Sequence, residues 1–256
     1  MRLIIGADSK VGSALALNWA RKNIEFHGTS RRNTPESENI FFDLSDFESS
    51  GLKKVYDKIV LCAAITDMNY CENNPEKSHS INVDAVKKIL DFFYDSKQII
   101  LLSSSQVFDG SKPFRQPNEK KNPINEYGKQ KSAMEDIALA YENATILRFS
   151  KIVDEKDELF LNWKKDLLSE KEIYAFYDYS ISPTPIEKVV SKINTLMDKE
   201  VFGTFHCEGK KDQPYYEYAK DLAVSLDRSV SLVKKISYKE KKFDYKLPRY
   251  ASLRDT

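Results

Sequence analysis

Short apolar runs alternate with segments of helical spacing along the first 150 residues. The runs cover residues 3–5, 24–28, 58–64, 98–102 and 144–149, and the helical segments cover 11–23, 82–94 and 127–141. Because the apolar runs do not alternate with polar residues, both faces of each strand are expected to be buried, as in a parallel sheet covered by helices. The pattern predicts an α/β fold with a doubly wound parallel sheet, the Rossmann fold, and right-handed crossovers.

The alternation weakens after residue 150. Residues 153–172 are predicted to be helical, 202–207 to form a returning strand and 215–226 to form another helix. We therefore assign residues 1–150 to a dinucleotide-binding Rossmann domain, to which 183–203 return. Residues 151–182 and 204–256 are assigned to a smaller C-terminal substrate-binding lobe. The Lys-rich segment 233–246 is interpreted as a solvated edge.

Composition narrows the classes of partner. The chain has 256 residues, 41% of them hydrophobic, and a formal net charge of +1. A balanced charge predicts neither a nucleic acid nor a membrane surface as partner, and no apolar run approaches the roughly 20 residues that span a bilayer. Three widely spaced cysteines without a metal-ligand pattern, and an N-terminus unlike a signal peptide, predict a reduced cytoplasmic protein without a metal site.

The first apolar run ends in a glycine turn that opens a helix. Gly6 would make the tight turn, and Gly12 would let helix and strand pack closely. A dinucleotide pyrophosphate binds at such a helix N-terminus, so Ser9, Lys10 and Val11 are predicted to contact it. Ser9 stands where a glycine commonly approaches the phosphate, and its hydroxyl and backbone N–H could both donate. A strand-to-helix turn without a ligand remains the alternative.

The end of the second strand predicts which dinucleotide binds. Ser30, Arg31 and Arg32 stand where NAD-binding proteins carry an acid for the ribose hydroxyls. Two guanidinium groups there match a 2′-phosphate, which favours NADP(H) as the cofactor; an arginine pair on the surface is the alternative. Asp43 and the adjacent Leu44 follow the next presumed strand, where the carboxylate could accept from the adenine amino group.

Three polar residues form a candidate catalytic set. Tyr127 and Lys131 are four residues apart and share one face of a predicted helix. An ammonium beside a phenol is expected to lower the tyrosine pKa, so that Tyr127 could exchange a proton with a carbonyl oxygen near neutral pH. This spacing often arises by chance, but Ser104 at the end of a predicted strand could bind the same carbonyl. Ser104, Tyr127 and Lys131 are therefore the predicted catalytic residues.

These motifs together resemble the extended short-chain dehydrogenase/reductase family, and within it the dTDP-4-dehydrorhamnose reductases. The resemblance is carried by VLCAA at 60–64, CENNP at 71–75, SINV at 80–83, SSSQVFDG at 103–110, YGKQK at 127–131, SPT at 182–184, GTFH at 203–206 and LPRYASL at 247–253. It implies that NADP(H) also contacts Cys62, Ala63, Ala64, Asn82 and Ser103. It implies that the substrate contacts Ser105, Val107, Phe108, Arg148 and Lys151.

Departures from related enzymes guide the choice of reaction. Ser105 and Gln106 stand where sugar-nucleotide dehydratases carry an Asp-Glu pair, and neither can act as acid or base. The resemblance therefore implies an NADPH-dependent reductase of a 4-keto-6-deoxy nucleotide sugar, in surface polysaccharide or deoxysugar biosynthesis, with a homodimer as a candidate assembly. Two alternatives stay open. One is a nucleotide-sugar epimerase, since residues 103–107 fit that class, and the other is an NADP-binding regulatory subunit without catalysis.

Overall fold

The structure, a computed structural model, describes residues 1–32, 39–47, 51–153, 157–241 and 243–255. The strands are β1 Arg2–Ile5, β2 Phe26–Ser30, β3 Ile40–Phe41, β4 Lys58–Leu61, β5 Gln98–Ser104, β6 Ala144–Phe149, β7 Ile152–Val153, β8 Ile173–Phe176, β9 Ser180–Ile181, β10 Thr184–Pro185, β11 Gly203–His206, β12 Gln213–Pro214 and β13 Val233–Ile236. The helices are α1 Lys10–Arg21, α2 Met68–Asn73, α3 Pro75–His79, α4 Ala85–Phe92, α5 Glu126–Ala138, α6 Glu158–Leu168, α7 Ile186–Lys199 and α8 Tyr215–Ser225. A π-helical turn, Ser80–Asp84, joins α3 to α4, and a 3₁₀ turn, Ser105–Val107, follows β5.

The large sheet has the predicted doubly wound topology. Its described strands are parallel and lie in the order β11-β6-β5-β4-β1-β2-β3. The chain order reverses between β1 and β4, which are neighbours in the sheet. A crevice opens beyond the carboxyl ends of the strands at such a reversal, and ligands of this fold class bind there.

Each face of the sheet is covered by apolar helix surfaces. Leu3 and Ile5 of β1 face the core beneath α4 and α5, whereas Ile4 faces the core beneath α1 and α7. Trp19 of α1 is fully buried and donates its indole N–H to the Asn194 Oδ1 of α7 at 2.7 Å. The predicted burial of both sheet faces is confirmed.

Several element boundaries differ from the predicted ones. The second strand begins at Phe26 rather than residue 24, because α1 is followed by a turn with Asn23 in the left-handed region at φ 52°. The predicted strand 58–64 is β4, which ends at Leu61 because the next two backbone N–H groups both bond to the Ile5 carbonyl as the chain leaves the sheet. Of the predicted helix 153–172 only α6 is helical among the described residues, and residues 154–156 lie outside them.

A second, smaller unit packs beside the sheet. Its core joins α6, α8 and the parallel pair β8–β13, and its largest members are aromatic, among them Phe160, Trp163 and Tyr215. Residues 204–206, which we assigned to the lobe, instead belong to β11, which pairs with β6 at the edge of the large sheet. The helix α7, within the segment 183–203, packs against α1.

One buried ion pair joins three elements of the Rossmann domain. Glu135 of α5 is fully buried and accepts two hydrogen bonds from Arg148 of β6, from Nε at 2.8 Å and from Nη2 at 2.7 Å. Its carboxylate also accepts from the hydroxyl of Ser103 in β5 and lies 3.3 Å from the Lys121 Nζ. The Arg148 guanidinium donates through Nη1 to the Pro117 carbonyl at 3.0 Å.

Glu135→Gln tests this pair. The amide keeps the shape of the side chain but leaves the buried Arg148 cation without its counter-charge, so the free energy of unfolding should fall by about 3–5 kcal/mol. Denaturant unfolding would measure the change. Asp136→Asn is the matched control, because this neighbouring carboxylate is exposed and its pairing is worth at most about 1 kcal/mol. A loss for Glu135→Gln no larger than that of the control would contradict this interpretation.

Candidate active site

A cavity of about 650 Å³ opens at the carboxyl ends of the strands, between the sheet and the smaller lobe. This volume is typical of a cofactor or substrate site. From the large sheet and its helices it is lined by Ser9, Lys10, Val11, Leu61, Cys62, Ala64, Thr66, Met68, Leu102, Ser103, Ser104, Ser105, Gln106, Tyr127 and Lys131. From residues 149–251 it is lined by Phe149, Ser150, Lys151, Ile152, Leu159, Trp163, Tyr174, Ala175, Phe176, Tyr179, Ser180, Ile181, Tyr215, Phe243, Tyr245, Leu247 and Ala251.

The glycine turn forms one wall of the cavity and fits a pyrophosphate. Gly6 adopts a φ of 86°, which favours glycine. A Cβ on Gly12 would lie 2.1 Å from the Gly6 carbonyl oxygen, so α1 can begin this close to β1 only without a side chain there. Ser9 is the N-cap and accepts the Gly12 N–H at 3.1 Å, which leaves its hydroxyl proton free to donate. The N-terminus of α1 therefore presents N–H groups to the cavity, as an anion requires.

The two arginines of the predicted phosphate selector are exposed beyond the end of β2. The Arg32 Nε lies 3.5 Å from a carboxylate oxygen of Asp8. Ser30 is buried and its hydroxyl accepts the Arg32 N–H at 2.9 Å, which fixes the turn that carries both guanidinium groups. Neither arginine lines the cavity.

Asp43 and Leu44 also lie outside the cavity lining. Burial acts to raise the pKa of the Asp43 carboxyl, but hydrogen bonds from Ser45 and the charge of Arg31 outweigh it, so its pKa is below the usual value. Its Oδ1 accepts both the backbone N–H and the hydroxyl of Ser45. Leu44 packs against the hydrophobic core. Asp43 therefore stays ionised beside Arg31, and its adenine contact remains a prediction.

The three predicted catalytic residues meet at the cavity. Ser104 ends β5, and Tyr127 and Lys131 face it from the first two turns of α5. Asn125 caps this helix by accepting the Gly128 N–H at 2.8 Å. A Cβ on Gly128 would lie 2.2 Å from the backbone carbonyl oxygen of Gln106, so the glycine lets α5 approach the turn after β5. The sequence therefore brings the set together through one cap and one glycine.

The pKa of Tyr127 differs from the one expected from the sequence. Burial raises the pKa of Tyr127 well above its usual range, against a smaller opposing effect of its hydrogen bond with Ser104. The predicted lowering by Lys131 is wrong, because the ammonium lies 6.0 Å from the Tyr127 ring centroid and donates instead to the Leu102 carbonyl at 2.9 Å. Burial lowers the pKa of Lys131 to about 8, against an opposing effect of Glu135. At neutral pH the phenol therefore holds its proton and can donate it.

Asn82 supports the cavity from behind rather than lining it. It lies in the π-helical turn and is almost fully buried. Its Nδ2 donates to the Ile65 carbonyl at 2.9 Å and to the Gln130 Oε1 at 2.8 Å, while its Oδ1 accepts the Ile65 N–H at 2.9 Å. These bonds fix the loop after β4, in which Cys62 and Ala64 line the cavity. Ala63 instead packs against Gly6, where it leaves no room for a Cβ.

Three predicted substrate contacts lie elsewhere. Val107 and Phe108 are buried in a small core with Leu253, because the 3₁₀ turn after β5 directs them away from the cavity. Arg148 is engaged by Glu135, and its guanidinium also lies 5.1 Å from the Phe108 ring centroid. None of these three residues lines the cavity. Of the predicted substrate contacts, Ser105 and Lys151 do line the cavity.

An aromatic wall of the cavity, formed by the lobe, was not predicted from the sequence. Tyr179 and Tyr215 stack with ring centroids 5.4 Å apart, and Phe176 meets Phe243 edge-on at 6.1 Å. Phe243 and Tyr245 come from the Lys-rich segment that we interpreted as a solvated edge, and β13 of that segment pairs with β8. The signal was present in the sequence as aromatic residues interleaved with the lysines. Among the described residues, no group of side chains could hold a metal ion, and no helix is long and apolar enough to cross a bilayer.

Comparison with known proteins identifies the family. The model of the RmlD substrate binding domain matches residues 1–256, and the chain belongs to this family. Methionine adenosyltransferase 2 subunit beta of Bos taurus is 27% identical over 253 residues, 92% of this chain and 75% of that protein. A dTDP-4-dehydrorhamnose reductase of Sinorhizobium fredii is 28% identical over 235 residues, 86% of this chain and 76% of that protein.

Solved structures share the whole fold. A hypothetical dTDP-4-dehydrorhamnose reductase from Sulfolobus tokodaii superposes with a TM-score of 0.87 at 28% identity, over 99% of this chain and 92% of that one. A dTDP-4-dehydrorhamnose reductase from Bacillus anthracis, in complex with NADP, superposes with a TM-score of 0.83 at 19% identity, over 100% of this chain and 90% of that one. The predicted fold and family are confirmed.

The buried Lys131 amine should titrate far below an ordinary lysine. In NMR spectra of protein with labelled lysine side chains, one resonance should shift with a midpoint near pH 8, because burial disfavours the ammonium. Lys131→Arg should remove that resonance. Lys129→Arg, at an exposed position on the same helix, should leave it in place. Lysine resonances that all titrate near the ordinary value of about 10.4 would contradict the burial argument.

Proposed function

We propose that this protein is an NADPH-dependent reductase of a 4-keto-6-deoxy nucleotide sugar. The observation that carries the proposal is the convergence of Ser104, Tyr127 and Lys131 on one cavity, beside a glycine turn that fits a pyrophosphate. We further propose that it acts in the cytoplasm, in surface polysaccharide or deoxysugar biosynthesis, and forms a homodimer.

Relatives support both the cofactor and the reaction class. The Sinorhizobium fredii relative is a dTDP-4-dehydrorhamnose reductase at 28% identity, and a neighbour of the same fold was solved with NADP. In this chain Arg31 and Arg32 supply two exposed guanidinium groups near the end of β2, where the 2′-phosphate of NADP would lie. The glycine turn, Ser9 and the N-terminus of α1 would hold the pyrophosphate.

The chemistry follows from the positions and protonation states of the side chains. Bound NADPH supplies the hydride for the keto carbon. Tyr127, protonated because it is buried, donates its phenolic proton to the oxygen that gains negative charge, and Ser104 orients that oxygen through its hydroxyl. Lys131 lies behind Tyr127 with its amine held by the Leu102 carbonyl. With a pKa of about 8 it is largely charged at neutral pH, so a positive charge lies 6.0 Å from the Tyr127 ring centroid.

The polar groups beside Ser104 disfavour elimination. Ser105 and Gln106 line the cavity there, and neither can move the extra protons that dehydration requires. An epimerase recycles a retained NAD and has no need of a phosphate selector, so Arg31 and Arg32 favour the reductase. Carbonyl reduction needs one proton donor, and Tyr127 provides it.

A regulatory subunit is the second candidate function, and a sequence relative supports it. The Bos taurus relative is a subunit of methionine adenosyltransferase, and its similarity covers 92% of this chain. This protein could accordingly bind NADP(H) and regulate another enzyme without catalysis. The complete set of Ser104, Tyr127 and Lys131 favours the catalytic proposal, because a subunit that only binds the cofactor has no need of a proton donor.

Net consumption of NADPH tests the reaction class. With a panel of 4-keto-6-deoxy nucleotide sugars and excess NADPH, the loss of nicotinamide absorbance should match the alcohol product one to one. Tyr127→Phe should lower turnover roughly 100-fold or more, because a placed general acid is lost, while NADPH still binds. Tyr70→Phe is the matched control, since this tyrosine is exposed and outside the cavity lining.

Two outcomes would redirect the proposal. Product formed without net loss of NADPH would favour the epimerase. Tight NADPH binding without reaction on any member of the panel would favour the regulatory subunit.

The arginine pair generates a separate prediction on cofactor choice. NADPH should bind at least about tenfold more tightly than NADH, a difference of about 1.4 kcal/mol. Changing Arg31 and Arg32 together to Ala should narrow this gap by weakening NADPH alone, as calorimetry would measure. Arg21 and Lys22, exposed at the far end of α1, changed together to Ala give the control. Equal affinities of the unchanged protein for NADPH and NADH would contradict the role of the pair.

A further inference from the structure

A single buried carboxylate binds two lysines from different walls of the cavity. The Asp157 Oδ2 accepts from the Lys10 Nζ at 3.0 Å and from the Lys151 Nζ at 2.8 Å. Asp157 is only 5% exposed, whereas the lysine side chains keep 38% and 37% of their surface exposed. As the N-cap of α6 it makes no capping hydrogen bond, because its carboxylate is turned to the lysines instead. Burial acts to raise the Asp157 pKa, but the two lysines outweigh it, so the carboxylate is ionised.

The two lysines approach different parts of a bound ligand. Lys10 is the first residue of α1, in the glycine turn that fits the cofactor pyrophosphate. Lys151 follows β6, and its Nζ lies 5.8 Å from the ring centroid of Phe160 in the lobe. Among the described residues that line the cavity, the cations are Lys10, Lys131 and Lys151. This lining contains no arginine, aspartate or glutamate. Because Lys131 is held by the Leu102 carbonyl, a diphosphate entering the cavity finds its cations already paired with Asp157.

We propose that the Asp157 carboxylate competes with diphosphate groups for Lys10 and Lys151. The diphosphate of the cofactor displaces it from Lys10, and the diphosphate of the nucleotide sugar displaces it from Lys151. This inference rests on the proposed function, which supplies both diphosphates. The binding free energy of each ligand is then the difference between a lysine–phosphate and a lysine–carboxylate contact. Displacing both lysines would leave a buried carboxylate without these partners, which is costly. Asp157 thereby weakens the binding of both ligands, and the binding of one ligand lowers the affinity for the other.

Asp157→Asn tests the competition by the sign of its effect. The amide has the same shape but no charge, so it competes less strongly with phosphate for the two lysines. In calorimetric titrations, NADP⁺ alone should bind about five- to tenfold more tightly, and so should dTDP or UDP added to NADP⁺-saturated protein, a change of about 1–1.4 kcal/mol. Damage to the fold would weaken binding instead. Asp157→Glu, which keeps the charge, should not tighten binding.

Glu158→Gln is the matched control, because it removes an exposed negative charge from the adjacent position of the same helix. If the affinities of this variant change less than twofold, the tighter binding of Asp157→Asn comes from the direct contact with the lysines. It does not come from the loss of a negative charge near the cavity. Unchanged or weaker binding by a folded Asp157→Asn protein overturns the proposal, as does equal tightening in Glu158→Gln.

Two lysine variants distinguish the sources of the diphosphate. Lys10→Met should weaken the binding of NADP⁺ and leave the binding of dTDP unchanged. Lys151→Met should weaken the binding of dTDP and leave the binding of NADP⁺ unchanged. Loss of NADP⁺ binding alone in both variants overturns the assignment of Lys151 to the substrate. These titrations need no turnover. Tighter binding by Asp157→Asn in a protein that reduces no sugar would therefore refute the proposed reaction and leave the competition standing.

Discussion

Glu135 of α5 and Arg148 of β6 meet inside the protein, where water cannot solvate either charge. The pair holds only because its groups are matched: two hydrogen bonds from Arg148, one from Ser103 and a nearby Lys121 surround the carboxylate. Breaking such a pair is costly, so α5 is held in one position against β5 and β6. That position brings Tyr127 and Lys131 opposite Ser104. The geometry of the candidate active site thus depends on a buried charge outside the cavity lining.

The cavity that results is apolar and aromatic on the lobe side and polar at the strand ends. Burial acts on the two groups of α5 in opposite senses, since it keeps the Tyr127 phenol protonated and lowers the pKa of the Lys131 ammonium to about 8. A protonated phenol beside the Ser104 hydroxyl suits the reduction that we propose. The scarcity of cations in the cavity lining then makes Lys10 and Lys151, both bound to Asp157, important for any diphosphate ligand.

The sequence predicted the sheet well because its strands are local apolar runs and its turns are marked by glycines such as Gly6 and Gly12. It also predicted that Tyr127 and Lys131 lie together, since four-residue spacing places them on one helix face wherever the helix lies. It failed where the outcome depends on tertiary packing. Neither the burial that raises the Tyr127 pKa nor the capture of Arg148 by Glu135 can be derived from spacing.

The structure of the lobe was harder to predict from the sequence, because it too depends on tertiary packing. Its core aromatic residues lie on short segments far apart in the chain, and the lysines around Phe243 hid the aromatic members that face the cavity. Asp157 was not singled out, because its importance depends on two lysines distant in sequence. The domain assignment and the individual ligand contacts therefore remain predictions, whereas the fold and family are established.

The reductase proposal is tested most directly by following the hydride. NADPH carrying deuterium at the transferable position would be incubated with a 4-keto-6-deoxy nucleotide sugar and the protein, and the product examined by mass spectrometry and NMR. The proposal predicts one deuterium on the former keto carbon of each product molecule. A product without deuterium, or with the label still on the nicotinamide, would contradict it.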